Sequence, residues 1–172
     1  MFNTMNATDY KYWQIIRGNV NRLIDSARVN DNPGAKILEI GKEYGYVQQV
    51  FKLAEIKTLD IDPVRNADYI KDICQNTGIL ANTFDIIFCT EVLEHTLEPK
   101  QAINEIYRIL KKDGFLYMTV PLNFLIHSKP DMWRFTDQGL RYLLKDFTIT
   151  YFEAVDSERE NFPIQYLVVA KK

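Results

Sequence analysis

The stretch that most constrains the fold is residues 35–53, where a short apolar run meets a turn and then a helix. Ile37–Ile40 lies between Gly34 and Gly41, as a buried parallel strand does. After the turn, three apolar residues share one helical face: Val47, Val50 and Phe51. This order predicts the first half of a βαβ unit, and open α/β sheets bind ligands beside such turns.

The second half of this unit follows at the expected distance. Ile56–Asp62 is a short apolar segment that ends in acids, and Pro63 stops it. Asp60 comes 19 positions after Gly41 (60 − 41), close to the spacing at which nucleotide-binding units place a ribose-binding acid. The order therefore favours a nucleoside site, and a βαβ unit without a ligand is the alternative.

In this order the residues resemble the class I S-adenosylmethionine (SAM)-dependent methyltransferases. The first family motif matches Glu39-Ile-Gly41-Lys-Glu43-Tyr-Gly45, and a later motif matches Phe84–His95. The next helix and strand of the family match Ala102–Pro121, and the resemblance extends from Lys36 to Leu144. Glu43 departs from the pattern, because the family has a glycine there that lets the loop approach the cofactor.

The resemblance implies SAM as the cofactor and assigns a role to each motif residue. It implies that Glu39 holds the amino group, Asp60 the ribose and Asp72 the adenine amino group. It also implies that Ile61 packs on adenine and that the backbone at Ile73 reads the ring edge. The full set of expected cofactor-binding residues is Glu39, Gly41, Gly45, Asp60, Ile61, Asp72, Ile73 and Thr90.

A long connection, residues 121–136, follows the fifth expected strand, and we call it the substrate loop. Long connections at strand ends in compact chains are usually functional. We expect Asp131, Trp133 and Arg134 to contact the substrate, although these residues are equally consistent with a purely structural role in the loop. Where the acceptor must lose a proton, the candidate bases are His127, then His95, then Glu91.

The chain suits a single domain of 172 residues, with 1–30 as an N-terminal helical extension. The resemblance predicts an α/β fold, a Rossmann-like three-layer sandwich. Its seven-stranded sheet is mostly parallel, and the last strand is antiparallel. In the family the leading helix often forms a partial lid, but a plain amphipathic helix packed on the sheet is the favoured interpretation here.

Composition narrows the partners and the location. The net charge is −2 without a long basic run, so nucleic acid is an unlikely partner. Two cysteines, Cys74 and Cys89, without a disulfide framework fit a reducing compartment. No membrane-length apolar run or secretory signal is present, so we expect a cytoplasmic protein. Cysteine and histidine spacing indicates no metal site.

These observations predict SAM-dependent methyl transfer to an oxygen or nitrogen of a small molecule. The substrate-loop pattern is weakly associated with glycan and natural-product pathways. A methyltransferase-like binding or scaffold module that has lost catalysis is the alternative, motivated by Glu43. An NAD-type dehydrogenase is less consistent, because the turn lacks GxGxxG spacing. Acceptor contacts come from the N-terminal helix and the substrate loop, or from a second subunit in a homodimer.

Overall fold

The computed structural model describes residues 6–42, 45–155, 159 and 161–172, so Glu43 lies outside the described residues. The helices are α1 (Ala7–Ser26), α2 (Tyr46–Val50), α3 (Pro99–Ile109) and α4 (Asp137–Leu143). The strands are β1 (Lys36–Ile40), β2 (Glu55–Asp60), β3 (Tyr69–Ile70), β4 (Phe84–Thr90), β5 (Leu110–Pro121), β6 (Thr148–Val155) and β7 (Gln165–Lys171).

The strands form one seven-stranded sheet in the order β3-β2-β1-β4-β5-β7-β6. β1 pairs in parallel with β2 and β4, and β4 pairs in parallel with β5. β7 lies between β5 and β6 and is antiparallel to both. The predicted fold class is therefore confirmed. β2 and β3 are added on one side of β1, whereas β4 is added on the other side, so the strand order reverses between β1 and β4. Open α/β sheets bind ligands at such a switch point.

Helices cover both faces of the sheet because successive strand residues point to opposite sides. Leu38 and Ile40 of β1 face a core completed by α3 and α4. Ile37, which precedes Leu38 and points to the opposite side of the sheet, faces a second core completed by α1 and α2. Burial on both faces explains why β1 and β4 are apolar almost throughout.

Three element boundaries follow from local contacts. Asn6 caps α1, and its side chain accepts a hydrogen bond from the Asp9 amide. The third strand is as short as Tyr69–Ile70 because it pairs only with the end of β2. The fifth strand begins at Leu110, directly after α3, so Lys111 and Lys112 lie in β5.

Across the described residues, no helix has the length and apolar character needed to span a bilayer.

Cys74 and Cys89 are both buried free thiols, and burial raises the pKa of the Cys89 thiol. A buried thiol of raised pKa is inert, as expected for a small core residue.

Candidate active site

A cavity of about 510 Å³ opens at the carboxyl ends of β1, β2 and β4. The middle of α1 and the substrate loop form its other walls. This volume is typical of small-molecule sites. The structure brings together nine of the expected site residues as its lining: Gly41, Asp60, Ile61, Asp72, Ile73, Thr90, Glu91, His95 and His127.

Gly41 is the first residue after β1, where the turn borders the cavity, and its backbone conformation favours glycine. Its φ angle is +80°, in the left-handed region, and its amide donates to the Leu59 carbonyl over 2.9 Å. A Cβ at this position would lie 2.6 Å from Cγ2 of Val92. Strain and steric overlap therefore both exclude a side chain where the backbone borders the cavity.

Asp60 and Asp72 each use one carboxylate oxygen to hold their own turn. Oδ1 of Asp60 accepts from the Asp62 amide over 2.9 Å, and Oδ1 of Asp72 accepts from the Cys74 amide over 2.8 Å. Among the described residues, Oδ2 of Asp60 accepts no hydrogen bond, whereas the Asp72 carboxylate also interacts with the thiol of Cys74. Two acceptors therefore line the cavity on adjacent strands, and Ile61 beside them is 67% exposed.

Two expected cofactor residues lie outside the cavity lining. The buried Glu39 side chain accepts a hydrogen bond from Gln48 Nε2 through Oε2 over 2.9 Å, and burial raises the pKa of this carboxyl group. Gly45 begins α2 at a φ of +62°. The roles assigned to both residues remain predictions, and the departure at Glu43 falls outside the described residues.

Two acidic side chains follow the end of β4. Glu91 has a φ of +53°, and its Oε1 accepts from Gln165 Nε2 over 2.8 Å. Burial raises the pKa of Glu91. Glu94 is completely buried, and its pKa lies well above the usual value because of burial and then because of the nearby Glu91 charge.

The two histidines of the chain meet where the substrate loop folds over the turn after β4. Their ring centroids lie 4.9 Å apart in an edge-on arrangement. His95 Nδ1 is 2.6 Å from the Pro130 carbonyl oxygen, and His127 Nδ1 is 3.2 Å from Oδ2 of Asp131. Burial, and then the neighbouring His95, lowers the pKa of His127, which favours its neutral form.

The three expected substrate-binding residues act within the loop instead of lining the cavity. Arg134 pairs with Asp131 and donates to the Leu125 carbonyl over 3.1 Å. Burial opposes ionisation of Asp131, but hydrogen bonds from Arg134 and the His127 amide lower its pKa. Trp133 Nε1 donates to the Thr96 carbonyl over 2.8 Å. These contacts favour the architectural interpretation, and direct substrate contact remains a prediction.

Helix α1 contributes cavity residues that the sequence pattern did not single out. Trp13, Ile16 and Arg17 all line the cavity. Their spacing places them on one helical face, next to the buried stripe of Tyr12 and Val20. The favoured expectation of a plain amphipathic helix was therefore incomplete, because one flank of the helix forms a cavity wall.

The fold and this cavity define an α/β protein with a nucleoside-sized site at its strand tips. Residues 12–159 match the family model described as "Methyltransferase domain". This match covers most of the chain, so the chain belongs to that family. The expected class, a class I SAM-dependent methyltransferase domain with SAM as its cofactor, is confirmed.

Curated relatives match only part of this chain. A ubiquinone biosynthesis O-methyltransferase of Actinobacillus pleuropneumoniae serotype 5b is 34% identical over 87 residues, which are 50% of this chain and 36% of the relative. Its counterpart in serotype 7 is 30% identical over 106 residues, 50% of this chain and 45% of the relative. The chain thus spans less than half the length of these relatives.

Solved structures share the fold at low identity. The [4+2]-cyclase SpnF superposes with a TM-score of 0.70 at 17% identity, over 88% of this chain and 80% of SpnF. The N-methyltransferase NodS from Bradyrhizobium japonicum WM9 gives 0.67 at 16%, over 95% and 98%. These likenesses establish the architecture alone.

Proposed function

We propose that the protein transfers the methyl group of SAM to an oxygen or nitrogen nucleophile of a small molecule. The single observation that carries this proposal is the cavity that joins the strand-tip acids to the two histidines of the chain. We call the part of the cavity lined by Asp60, Ile61 and Asp72 its first arm, and this arm suits a nucleoside. The second arm, lined by His95 and His127, presents polar groups that can accept a proton. The ubiquinone biosynthesis O-methyltransferases among the relatives favour a hydroxyl acceptor.

The residues of the first arm fit SAM. Oδ2 of Asp60 is positioned to accept hydrogen bonds from ribose hydroxyls, and Oδ2 of Asp72 from the adenine amino group. The exposed face of Ile61 would regain apolar contact beneath a purine. Gly41 keeps the turn clear of side chains so that the backbone approaches the cofactor closely. When bound, SAM supplies an electrophilic methyl group on a sulfonium.

The residues of the second arm position the acceptor and remove its proton. Methyl transfer needs the nucleophile in line with the methyl–sulfur bond, so the main contribution of the protein is orientation and exclusion of water. Trp13 and Phe124 supply apolar walls on this side. His127 is the first candidate base, because it lines the cavity and burial favours its neutral imidazole, in which one ring nitrogen accepts a proton. His95 and then Glu91 are the alternatives.

Calorimetric titration with SAM and with S-adenosylhomocysteine tests the cofactor half of the proposal. Micromolar binding at one site per chain supports it. Absence of binding at millimolar cofactor would instead support the scaffold interpretation, in which the fold persists without its cofactor. Purified protein with SAM and a panel of phenols, vicinal diols and amines then tests the acceptor half, with the S-adenosylhomocysteine formed as the readout.

A further inference from the structure

One buried side chain beside the cavity has no role in the scheme above. Glu94 is completely buried, and neither of its carboxylate oxygens has a hydrogen-bond partner among the described residues. A buried carboxyl group without partners is destabilising by several kcal/mol in general, and such groups in native proteins require an explanation. The nearby charges of Glu91 and Asp131 act against the Glu94 carboxylate and that of Arg134 acts in its favour, so a cation bound at Glu94 would offset both its burial and its acidic neighbours.

The two histidines complete a cluster around this carboxyl group. One potential ligand atom from each of Glu94, His95 and His127 lies within 4.8 Å of the other two. Nε2 of His95 is already 3.6 Å from Oε1 of Glu94. Ligands at 2.0–2.1 Å around a tetrahedral metal lie about 3.3 Å apart. Side-chain rotations that move ligand atoms by about 1–1.5 Å would therefore close the cluster around an ion.

The ring of His95 is oriented as that of a metal ligand usually is. A ligating histidine typically donates its second ring N–H to a backbone carbonyl or a carboxylate. Nδ1 of His95 lies 2.6 Å from the Pro130 carbonyl oxygen, so a proton on Nδ1 leaves Nε2 with a free lone pair. Nδ1 of His127 lies 3.2 Å from Oδ2 of Asp131 but makes no hydrogen bond there, so either ring nitrogen of His127 is free to bind an ion.

The substrate loop is anchored so that the two halves of the cluster stay together. The Met132 amide donates to the carbonyl oxygen of Glu94 itself over 2.8 Å, and Trp133 Nε1 donates to the Thr96 carbonyl over 2.8 Å. Arg134 neutralises Asp131, whose Oδ2 also accepts a hydrogen bond from the His127 backbone amide over 3.1 Å and so holds this residue in place.

We propose that Glu94, His95 and His127 form a binding site for a divalent transition metal. Two imidazoles and one carboxylate suit Zn²⁺, Mn²⁺, Fe²⁺ or Co²⁺ better than Mg²⁺ or Ca²⁺, which prefer oxygen ligands alone. Three protein ligands leave open positions, and both histidines line the cavity. A metal here would bind an acceptor hydroxyl and increase its acidity. This role rests on the proposed function, whereas metal binding does not.

In the metal-loaded protein the histidines would act as ligands, and the proton of the more acidic, metal-bound hydroxyl would pass to water in the cavity instead of to His127. Sequence spacing did not indicate the site, because 32 positions separate His95 from His127 (127 − 95). The contact exists only once the substrate loop folds back over the turn after β4.

Titration of chelator-treated, metal-free protein with Zn²⁺ by calorimetry, and with Co²⁺ by visible absorption, tests the proposal in the absence of SAM. We expect one equivalent to bind with a Kd of micromolar or tighter. Glu94→Gln, His95→Gln and His127→Gln should each weaken binding at least tenfold. Asp72→Asn is the control, because it changes an acid of the same cavity outside the cluster.

Thermal unfolding keeps the test interpretable if a variant folds poorly. Zn²⁺ at one hundred times its Kd should raise the melting temperature of the wild-type protein by about 5 °C or more. At the same Zn²⁺ concentration the rise for Glu94→Gln, which has lost only a charge, should be about half as large or less. Absence of metal binding, or binding that all three variants retain, would overturn the proposal. A separate SAM titration of the metal-free protein distinguishes that failure from failure of the proposed function.

Discussion

Replacement of Asp60 by asparagine isolates the contribution of one carboxylate to cofactor binding. In the structure Oδ1 accepts from the Asp62 amide over 2.9 Å, and an asparagine carbonyl oxygen keeps that bond and the turn. The variant therefore changes only Oδ2, the acceptor that we assign to the ribose. A hydrogen bond to a charged group contributes about 1.5–3 kcal/mol. The Kd for SAM should accordingly rise about 10- to 150-fold.

Calorimetric titration with SAM and with S-adenosylhomocysteine measures this change. Both ligands carry the same ribose, so Asp60→Asn should weaken both by the same factor. Asp113→Asn is the matched control, because Asp113 pairs with Lys171 near the start of β5. Its Kd should equal that of the wild-type protein. A rise of less than threefold for Asp60→Asn, with the melting temperature retained, would refute the assignment of Asp60 to the ribose.

Four further substitutions test other parts of the structure. Gly41→Ala should lower both SAM affinity and melting temperature, whereas Gly18→Ala, whose Cβ would meet nothing within 4 Å, should stabilise α1 by about 0.5–1 kcal/mol. Hydrogen bonds from Arg108 and Thr77 overcome burial and lower the pKa of Glu105 to about 2, below its unfolded value of 4.5. Glu105→Gln should therefore cost about 2–3 kcal/mol at neutral pH, and urea titrations should show this difference vanishing as pH falls from about 5 to 2. Trp133→Phe, which loses the bond to Thr96, should raise the KM of the acceptor in steady-state assays and leave the Kd of SAM unchanged.

Most of the sheet could be predicted because its information is local. Ile37–Ile40 and Phe84–Cys89 are apolar runs of strand length between turn residues, and burial on both faces requires that composition. Asp60 and Gly41 could be placed because topology brings the carboxyl ends of neighbouring parallel strands to one edge.

The substrate side of the cavity could be predicted only as a set of residues. His127 and Asp131 were singled out, but their partners lie across the fold, and spacing in sequence carries no information on such contacts. Trp133 and Arg134 illustrate the same limit, because aromatic and charged residues in a loop suit ligand contact and loop anchoring equally well. Glu94 attracted no interpretation, since burial of an unpartnered carboxyl group is visible only in three dimensions.

The central claim is that the strand-tip cavity binds the nucleoside of the cofactor. A crystal structure of the protein with S-adenosylhomocysteine tests it most directly. The account predicts ribose hydroxyls within hydrogen-bonding distance of Asp60, and the adenine amino group within that distance of Asp72. A cavity that stays free of ligand at saturating concentration, or a ligand bound with its ribose away from Asp60, would contradict it.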